Sequence, residues 1–287
     1  MDIQNVPEIF LTDSKTETDL FIYDFKMTDD VIKSKVNLDL NMFSFLQTGK
    51  KQVHFSDTSV GVNASQSLLI KNGNCLWTEL LDNDEIYFCK LLFFSQKKVE
   101  EFLKKHSSKN HNTKQSQRKE APFFIIQNDD YIHAFVNSLS SILKLNQAST
   151  KSLLALKFEE IMLYLFNKYG DMFLEYLHSL ITIKDNSSFK KIIEANAYSN
   201  LKLEEIAFLC NMSLSTFKRH FKAEYNQTPA KWMQKKRLKR AKKLLQTKGY
   251  KPSDVYLDLG YNNLSNFSIA FKNEFGISPK EVNFIKK

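Results

Sequence analysis

The sequence predicts an α+β protein of two domains: a β-rich domain over residues 1–185 and an all-α domain over residues 186–287. Three observations favour this organisation. Short runs rich in Phe, Ile and Leu alternate with turn residues up to about residue 95, and helical periodicity replaces them from Asp129 onward. A length of 287 residues suits two domains. Residues 186–287 hold 20 Lys and Arg against 8 Asp and Glu, a balance of +12, whereas residues 1–185 carry −3.

The expected strands of the N-terminal domain are FIYDFKM, MFSFLQ, QVHF, QSLLI and IYFCKLLFF. TGKK at 48–51, KNGN at 71–74 and LDND at 81–84 supply turn residues between them. Such spacing is typical of an antiparallel barrel or sandwich, of the kind called cupin-like. FFIIQ at 123–127 can add one more strand, and the polar segment 107–120 predicts a mobile loop.

Helices are expected next to these strands. QKKVEEFLKKH at 96–106 has a helical pattern, and three further candidates follow: YIHAFVNSLSSILKL, LLALKFEEIMLYLFNKY and MFLEYLHSLI. They contain more Leu, Ile and Phe than one face of a small sheet needs. Two interpretations stay open, a helical layer that covers the barrel and the interface of a homodimer formed through this domain. KDNSS at 184–188 is the expected domain boundary.

The C-terminal domain contains an internal repeat with an offset of 50 residues. LSTFKRHFKAEYNQTP at 214–229 and LSNFSIAFKNEFGISP at 264–279 are identical at seven of sixteen positions. In each copy Leu, Phe and Phe form an apolar helical stripe, and polar residues lie opposite. A shorter helix precedes each copy, LEEIAFLC at 203–210 and SDVYLDLG at 253–260, and Asn211 and Gly260 suit a left-handed turn residue. The repeat therefore predicts two helix-turn-helix units, joined by a basic helix over 230–248.

Two such units favour sequence-specific binding of double-stranded DNA. A pair of recognition helices on a rigid connecting helix can enter successive major grooves, and the excess of Lys and Arg attracts phosphates. If the polar faces of the two helices only contacted solvent, there would be no reason for them to recur at a fixed offset. One further alternative is a binder of nucleic acid or of an anionic membrane surface that uses charge alone.

Residues 189–285 resemble the DNA-binding domain of the AraC/XylS family of bacterial transcription regulators. The stretches that carry the resemblance are LKLEEIAFLCNMS, STFKRHFK, TPAKWMQKKRLKRAKKLL and LGYNNLSNFSIAFKNEFGISPKEV. It implies seven helices, a domain that binds DNA as a monomer, and RNA polymerase as a partner, on whose contacts activation or repression depends. The DNA-binding residues that it implies are Ser215, Thr216, Lys218, Arg219 and Lys222 in the first unit, and Asn262, Asn263, Ser265, Asn266, Ile269 and Lys272 in the second.

Three positions depart from the family pattern. Leu264 falls at a contact position but also belongs to the apolar stripe, so we expect it to be buried. Tyr256 stands where the family usually has a small residue between the two helices of the second unit. Ile269 stands where Arg is frequent, and it can touch a thymine methyl group but cannot donate a hydrogen bond.

The N-terminal runs FSFLQTGKKQVHF and NGNCLWTELLDNDEIYFCKLLFFS resemble regulators related to the type III secretion activator of pseudomonads. That resemblance implies self-association of the domain and binding of a regulatory protein. The sequence does not identify an effector, whether a small molecule or a protein.

No catalytic residue, metal site or cofactor is expected. A metal would need two or three His and a carboxylate that converge, and the predicted barrel contains only His54. Motifs of nucleotide-binding loops and of serine hydrolases are missing. The alternative that we weigh is a metal-dependent cupin-like enzyme fused to a DNA-binding module. Three dispersed cysteines, no secretory signal and no membrane-spanning run predict a cytoplasmic protein without a membrane partner.

Overall fold

The computed structural model describes residues 2–11, 19–83, 85–106, 121–142, 147–181, 189–247 and 250–282. The chain divides into two compact units, Met1–Asn186 and Ser187–Lys287, which we call the N-terminal and the C-terminal unit. The loop expected at 107–120 and the boundary expected at 184–188 lie outside the described residues. Among the described helices, none combines the length and the hydropathy that crossing a bilayer requires.

The N-terminal unit contains two five-stranded sheets. In spatial order, sheet A consists of β1 (Gln4–Val6), β3 (Val31–Leu38), β8 (Gly73–Leu80), β5 (Lys50–His54) and β6 (Ser59–Asn63). Sheet B consists of β10 (Phe123–Gln127), β7 (Gln66–Ile70), β4 (Asn41–Thr48), β9 (Tyr87–Phe94) and β2 (Leu20–Met27). Only the pairing of β1 with β3 is parallel among these strands. A 3₁₀ turn at Glu8–Phe10 follows β1.

Strand β9 shows why sheet B is covered on both faces, by sheet A on one face and by helices on the other. Successive side chains of a strand point to opposite faces. Cys89 and Leu91 join a core that includes residues of both sheets, whereas Leu92 and Phe94 join a core made with the helices. A strand buried on both faces has an almost continuous apolar sequence, which is what IYFCKLLFF shows.

Four helices cover the outer face of sheet B: α1 (Gln96–His106), α2 (Asp130–Ile142), α3 (Gln147–Tyr169) and α4 (Asp171–Ile181). The ring of Phe94 lies 5.0 Å from that of Phe158 on α3, and the ring of Phe45 lies 5.7 Å from that of Phe135 on α2. The interpretation of these helices as a covering layer is confirmed. The same helix α3 nevertheless leaves Leu156 63% exposed.

A buried ion pair lies inside the N-terminal unit. Lys51 on β5 stands directly opposite Glu79 on β8, and Nζ is 2.6 Å from Oε1. The two side chains are 0% and 2% exposed, and Nζ also lies 3.9 Å from the centre of the Trp77 ring. The turn expected over 48–51 is wrong for three of its four residues, because Thr48 ends β4 and Lys50 and Lys51 begin β5, which leaves only Gly49 between the two strands. Gly49 has a φ of +93°, and a Cβ there would meet the carbonyl oxygen of Leu80 at 2.5 Å.

The C-terminal unit is helical in its described residues. Its helices are α5 (Phe189–Ala195), α6 (Leu203–Leu209), α7 (Leu214–Tyr225), α8 (Pro229–Leu245), α9 (Pro252–Val255) and α10 (Leu264–Phe275), and a 3₁₀ turn at Pro279–Glu281 follows. Left-handed conformations at Asn211 (φ 55°) and Gly260 (φ 76°) are confirmed. The helix expected over 253–260 is wrong in length, because α9 ends at Val255 and turns fill the remaining positions.

Candidate nucleic-acid interface

The first helix-turn-helix consists of α6, a turn and α7. Phe217 and Phe221 of α7 are fully buried, and the Phe221 ring packs edge-on against Trp232 of α8 at 5.7 Å. The opposite side of α7 holds the residues implied as DNA contacts. Ser215, Lys218, Arg219 and Lys222 are exposed and Thr216 is half-buried. Burial of the phenylalanines thus fixes which face of α7 points outward.

The second helix-turn-helix, formed by α9, the following turns and α10, repeats this arrangement. Phe267 and Phe271 are fully buried, with ring centres 5.7 Å apart, against 5.8 Å for the equivalent pair in α7. Exposed on the other side are Asn262, Asn263, Ser265, Asn266, Ile269 and Lys272. The repeat found in the sequence is therefore also a repeat of side-chain packing.

Two of the three departures from the family pattern have a structural explanation. Leu264 and Tyr256 are half-buried and pack against the core of the second helix-turn-helix, which also contains Val255 and Phe267. The bulk of Tyr256 thus forms part of the packing between the two helices. Ile269 is 60% exposed, at the position equivalent to Arg219.

Each recognition helix begins at a capping side chain. The Ser213 hydroxyl accepts a hydrogen bond from the Thr216 amide at 3.2 Å, and Asn263 Oδ1 accepts one from the Asn266 amide at 2.8 Å. The family resemblance implies Asn263 as a DNA contact and does not indicate its role as a cap. A Ser or Asn immediately before an apolar helical stripe was the available signal. With Oδ1 engaged in the cap, the amide Nδ2 is the group of Asn263 that can donate to DNA.

The exposed face of the first recognition helix carries positive charge that no described acidic side chain neutralises by an ion pair. In the described part of the chain, no carboxylate forms an ion pair with Lys218, Arg219 or Lys222. Glu224 is on the same helix, but it pairs with Lys190 at 2.9 Å, and this contact lowers the pKa of the Glu224 carboxyl. The face thus presents three cations to a polyanion.

The connecting helix α8 packs against both helix-turn-helix units. Near the start of α8, Trp232 contacts α7. Further along the helix, Leu238, Ala241 and Leu245 belong to the core of the second helix-turn-helix. Several of its basic residues are engaged inside the C-terminal unit: Lys236 binds Glu194 at 2.7 Å, and the Arg240 guanidinium lies 4.9 Å from the centre of the Tyr198 ring. Helix α8 thus fixes the spacing of the two recognition helices.

The described residues of both units contain no metal-binding cluster and no activated thiol. In the part of the chain that the structure describes, no group of three or more His, Cys, Asp or Glu could hold a metal ion. Burial raises the pKa of Cys75 and Cys210 to about 12 and that of Cys89 to about 11. These thiols stay protonated at neutral pH and are poor nucleophiles.

Two family models match the chain. One describes the ExsA N-terminal regulatory domain and matches residues 41–176, and the other describes a helix-turn-helix domain and matches residues 206–283. Together they cover parts of both units. The first lies within the N-terminal unit, and the second contains both recognition helices.

Similar proteins include the virulence regulon transcriptional activator VirF of Yersinia enterocolitica, which is 26% identical over 166 residues, 58% of this chain and 60% of VirF. The HTH-type transcriptional regulator ExsA of Pseudomonas aeruginosa is 27% identical over 128 residues, 44% of this chain and 46% of ExsA. The match thus spans about three-fifths of VirF and less than half of ExsA. The crystal structure of an apo ToxT variant from Vibrio cholerae aligns with a TM-score of 0.42 and 15% identity, over 92% of this chain and 97% of that one.

Proposed function

Because the chain belongs to the AraC/XylS family of transcription regulators, we propose that it binds specific sites on double-stranded DNA, with α7 and α10 in successive major grooves. The observation that carries this proposal is the repeated geometry. Twice, at an offset of 50 residues, a helix buries two phenylalanines and turns a polar face outward. One rigid helix, α8, packs against both.

The proposed contacts follow from side-chain chemistry. In α7, Arg219 is suited to guanine O6 and N7, with Ser215, Thr216 and Lys218 beside it. In α10, Ser265 and Asn266 can bond base edges, and Ile269 can touch a thymine methyl group. Lys222, Lys272 and the amides of Asn262 and Asn263 are suited to phosphates. The first recognition helix thus relies on charge more than the second does.

Arg219→Ala is expected to weaken binding to the cognate site by roughly 5- to 150-fold, because one bidentate contact to guanine discriminates by about 1–3 kcal/mol. Base preference should relax at one or two positions of one half-site. Ile269→Ala removes only apolar contact, so we expect a loss below about 1 kcal/mol, confined to the other half-site. Titration of each variant against the operator and its single-base variants measures both effects.

Random DNA serves as the control for this comparison. If Arg219→Ala weakened binding to cognate and random DNA equally, Arg219 would be a phosphate contact and not a base reader. If neither binding changed, α7 would face water and the assignment of this recognition face would be wrong.

We also propose that a second copy of the chain is a partner, bound through the outer face of α3. Leu153 and Leu156 are 38% and 63% exposed there, and Leu156 lies about 160° round the helix from the buried Phe158. These leucines line one stripe, because residues three apart lie close together on a helix surface. The match to a regulatory-domain model over 41–176 supports an interaction role for this unit.

Leu156→Asp should weaken self-association at least about tenfold, since each Leu removed from an interface gives up roughly 1.5–3 kcal/mol of apolar burial. Ala155→Asp is the matched control, because Ala155 is also exposed but lies about 100° further round the helix. Sedimentation equilibrium of the wild type and both variants gives the dissociation constants. A wild type that is monomeric at tens of micromolar would leave α3 with a covering role only.

This function would require contact with RNA polymerase in the cytoplasm. VirF is named a transcriptional activator, which supports activation of transcription as the outcome. The alternative of a metal-dependent enzyme has no support among the curated relatives, which are named as regulators. The residues of the recognition helices and of α8 do not identify a small molecule or protein that would act as an effector.

A further inference from the structure

A polar cleft of about 490 Å³ separates the two helix-turn-helix units, and we call it the inter-motif cleft. Its walls are the segment that follows α7, with Asn226 and Gln227, and the flank of α10, with Asn273 and Glu274. Its floor is the first half of α8. The cleft therefore lies between the two recognition helices.

The floor carries two lysines that differ in their ionic partners. Lys235 faces Glu274 across the cleft, with Nζ 3.6 Å from Oε1. Lys231 is exposed, and no acidic side chain within the described residues pairs with it. Further along α8, Lys242 is half-buried and its Nζ lies 4.7 Å from the centre of the Phe275 ring. Lys231 is thus the cation that the cleft offers to a ligand.

The ligand is identified by the position of the cleft. DNA that places α7 and α10 in successive major grooves must pass one stretch of sugar-phosphate backbone over the surface between the two helices. The cleft forms that surface, and amides of Asn and Gln together with a lysine are typical phosphate donors.

We propose that the inter-motif cleft binds the DNA backbone between the two major grooves, with Lys231 as the contacting cation and Glu274 holding Lys235 back from a second contact. This inference rests on the proposed function and adds a contact that neither recognition helix makes. Since phosphates carry no base identity, the contact acts equally on cognate and random DNA.

Lys231→Gln should reduce the slope of log K against log salt by about 0.9, the value for one phosphate. Raising the salt from 50 to 200 mM would then cost the variant about 3.5-fold less affinity than it costs the wild type. Lys243→Gln is the matched control, because Lys243 is exposed on the same helix but about 18 Å further along and about 120° round it. Fluorescence anisotropy titrations of the full chain on cognate and random duplexes give the slopes.

Glu274→Gln tests the second half of the proposal with the opposite sign. Release of Lys235 should tighten binding to both duplexes and steepen the slope by up to about 0.9. Weaker binding or unchanged binding would overturn the role of Glu274. Circular dichroism of each variant checks that the helices are intact.

These titrations distinguish an error in the proposed role of the inter-motif cleft from an error in the proposed function. If Lys231→Gln left the slope unchanged, or if Lys243→Gln lowered it equally, the cleft would not bind the backbone. The function would still stand if Arg219→Ala relaxed base preference in the same titrations. If the wild type preferred no sequence and Arg219→Ala changed nothing, the proposed function itself would fall.

Discussion

Glu79→Gln is expected to lower the free energy of unfolding of the N-terminal unit by about 3–5 kcal/mol, the usual effect of breaking a buried ion pair from one side. Lys51 is fully buried, so its ammonium would lose its ionic partner without gaining water. The Trp77 ring and the Tyr87 hydroxyl, 3.5 Å from Nζ, remain as weaker partners. Gln has nearly the shape of Glu, so the effect would come from charge and not from a cavity.

Urea unfolding followed by hydrogen exchange of β5 and β8 measures this effect in the N-terminal unit. The control is the double variant Lys51→Met with Glu79→Leu, which we expect to be near neutral or stabilised, because apolar residues often replace a buried ion pair without loss. A loss below about 1 kcal/mol for Glu79→Gln would show that water reaches Lys51.

Phe271→Ala is expected to cost the second helix-turn-helix about 3–5 kcal/mol, since it leaves a cavity in a small core. Phe271 is fully buried with Leu238, Val255 and Leu259. These residues belong to α8, α9 and the following turns, and none of them belongs to α7. We therefore expect faster amide exchange in α9 and α10, with α7 still protected.

Phe221→Ala is the matched variant, because Phe221 occupies the equivalent position in the first helix-turn-helix and its ring packs against Trp232. We expect this variant to exchange faster in α7, with α9 and α10 still protected. Hydrogen exchange of the full chain, analysed helix by helix, compares the two. If both variants opened both helix-turn-helix units equally, α8 would couple them into one cooperative unit.

Periodicity predicted the parts of the fold that depend on local pattern. The Phe spacing in α7 and α10 and the apolar runs of β4 and β9 are sufficient, because neighbouring residues on one face share one environment. Strands β1, β3, β6 and β8 were not predicted, and in β3 the pairing is irregular between Val31 and Ser34 and Lys33 has a φ of 56°. A local bulge of this kind breaks the alternation that identifies a strand.

Pairs that are distant in sequence could not be predicted. Lysine is almost never fully buried without a partner, so Lys51 in TGKK suggested a turn. Its partner Glu79 is 28 residues away, and only the register of β5 against β8 brings them together. The inter-motif cleft depends in the same way on Lys235 and Glu274, which belong to different helices. The polar faces of α7 and α10 followed from sequence, whereas the surface between them required the structure.

The repeat in the C-terminal unit has a consequence for the geometry of a promoter. Its two recognition helices are similar in backbone and packing but not in what they present, since Arg219 in one corresponds to Ile269 in the other. A site read by both therefore cannot be a palindrome for one copy of the chain. If such a site were inverted, each recognition helix would face the bases that the other helix recognises. The protein would therefore bind in one orientation only. The orientation of the site would then determine which end of the bound protein points toward the start of transcription.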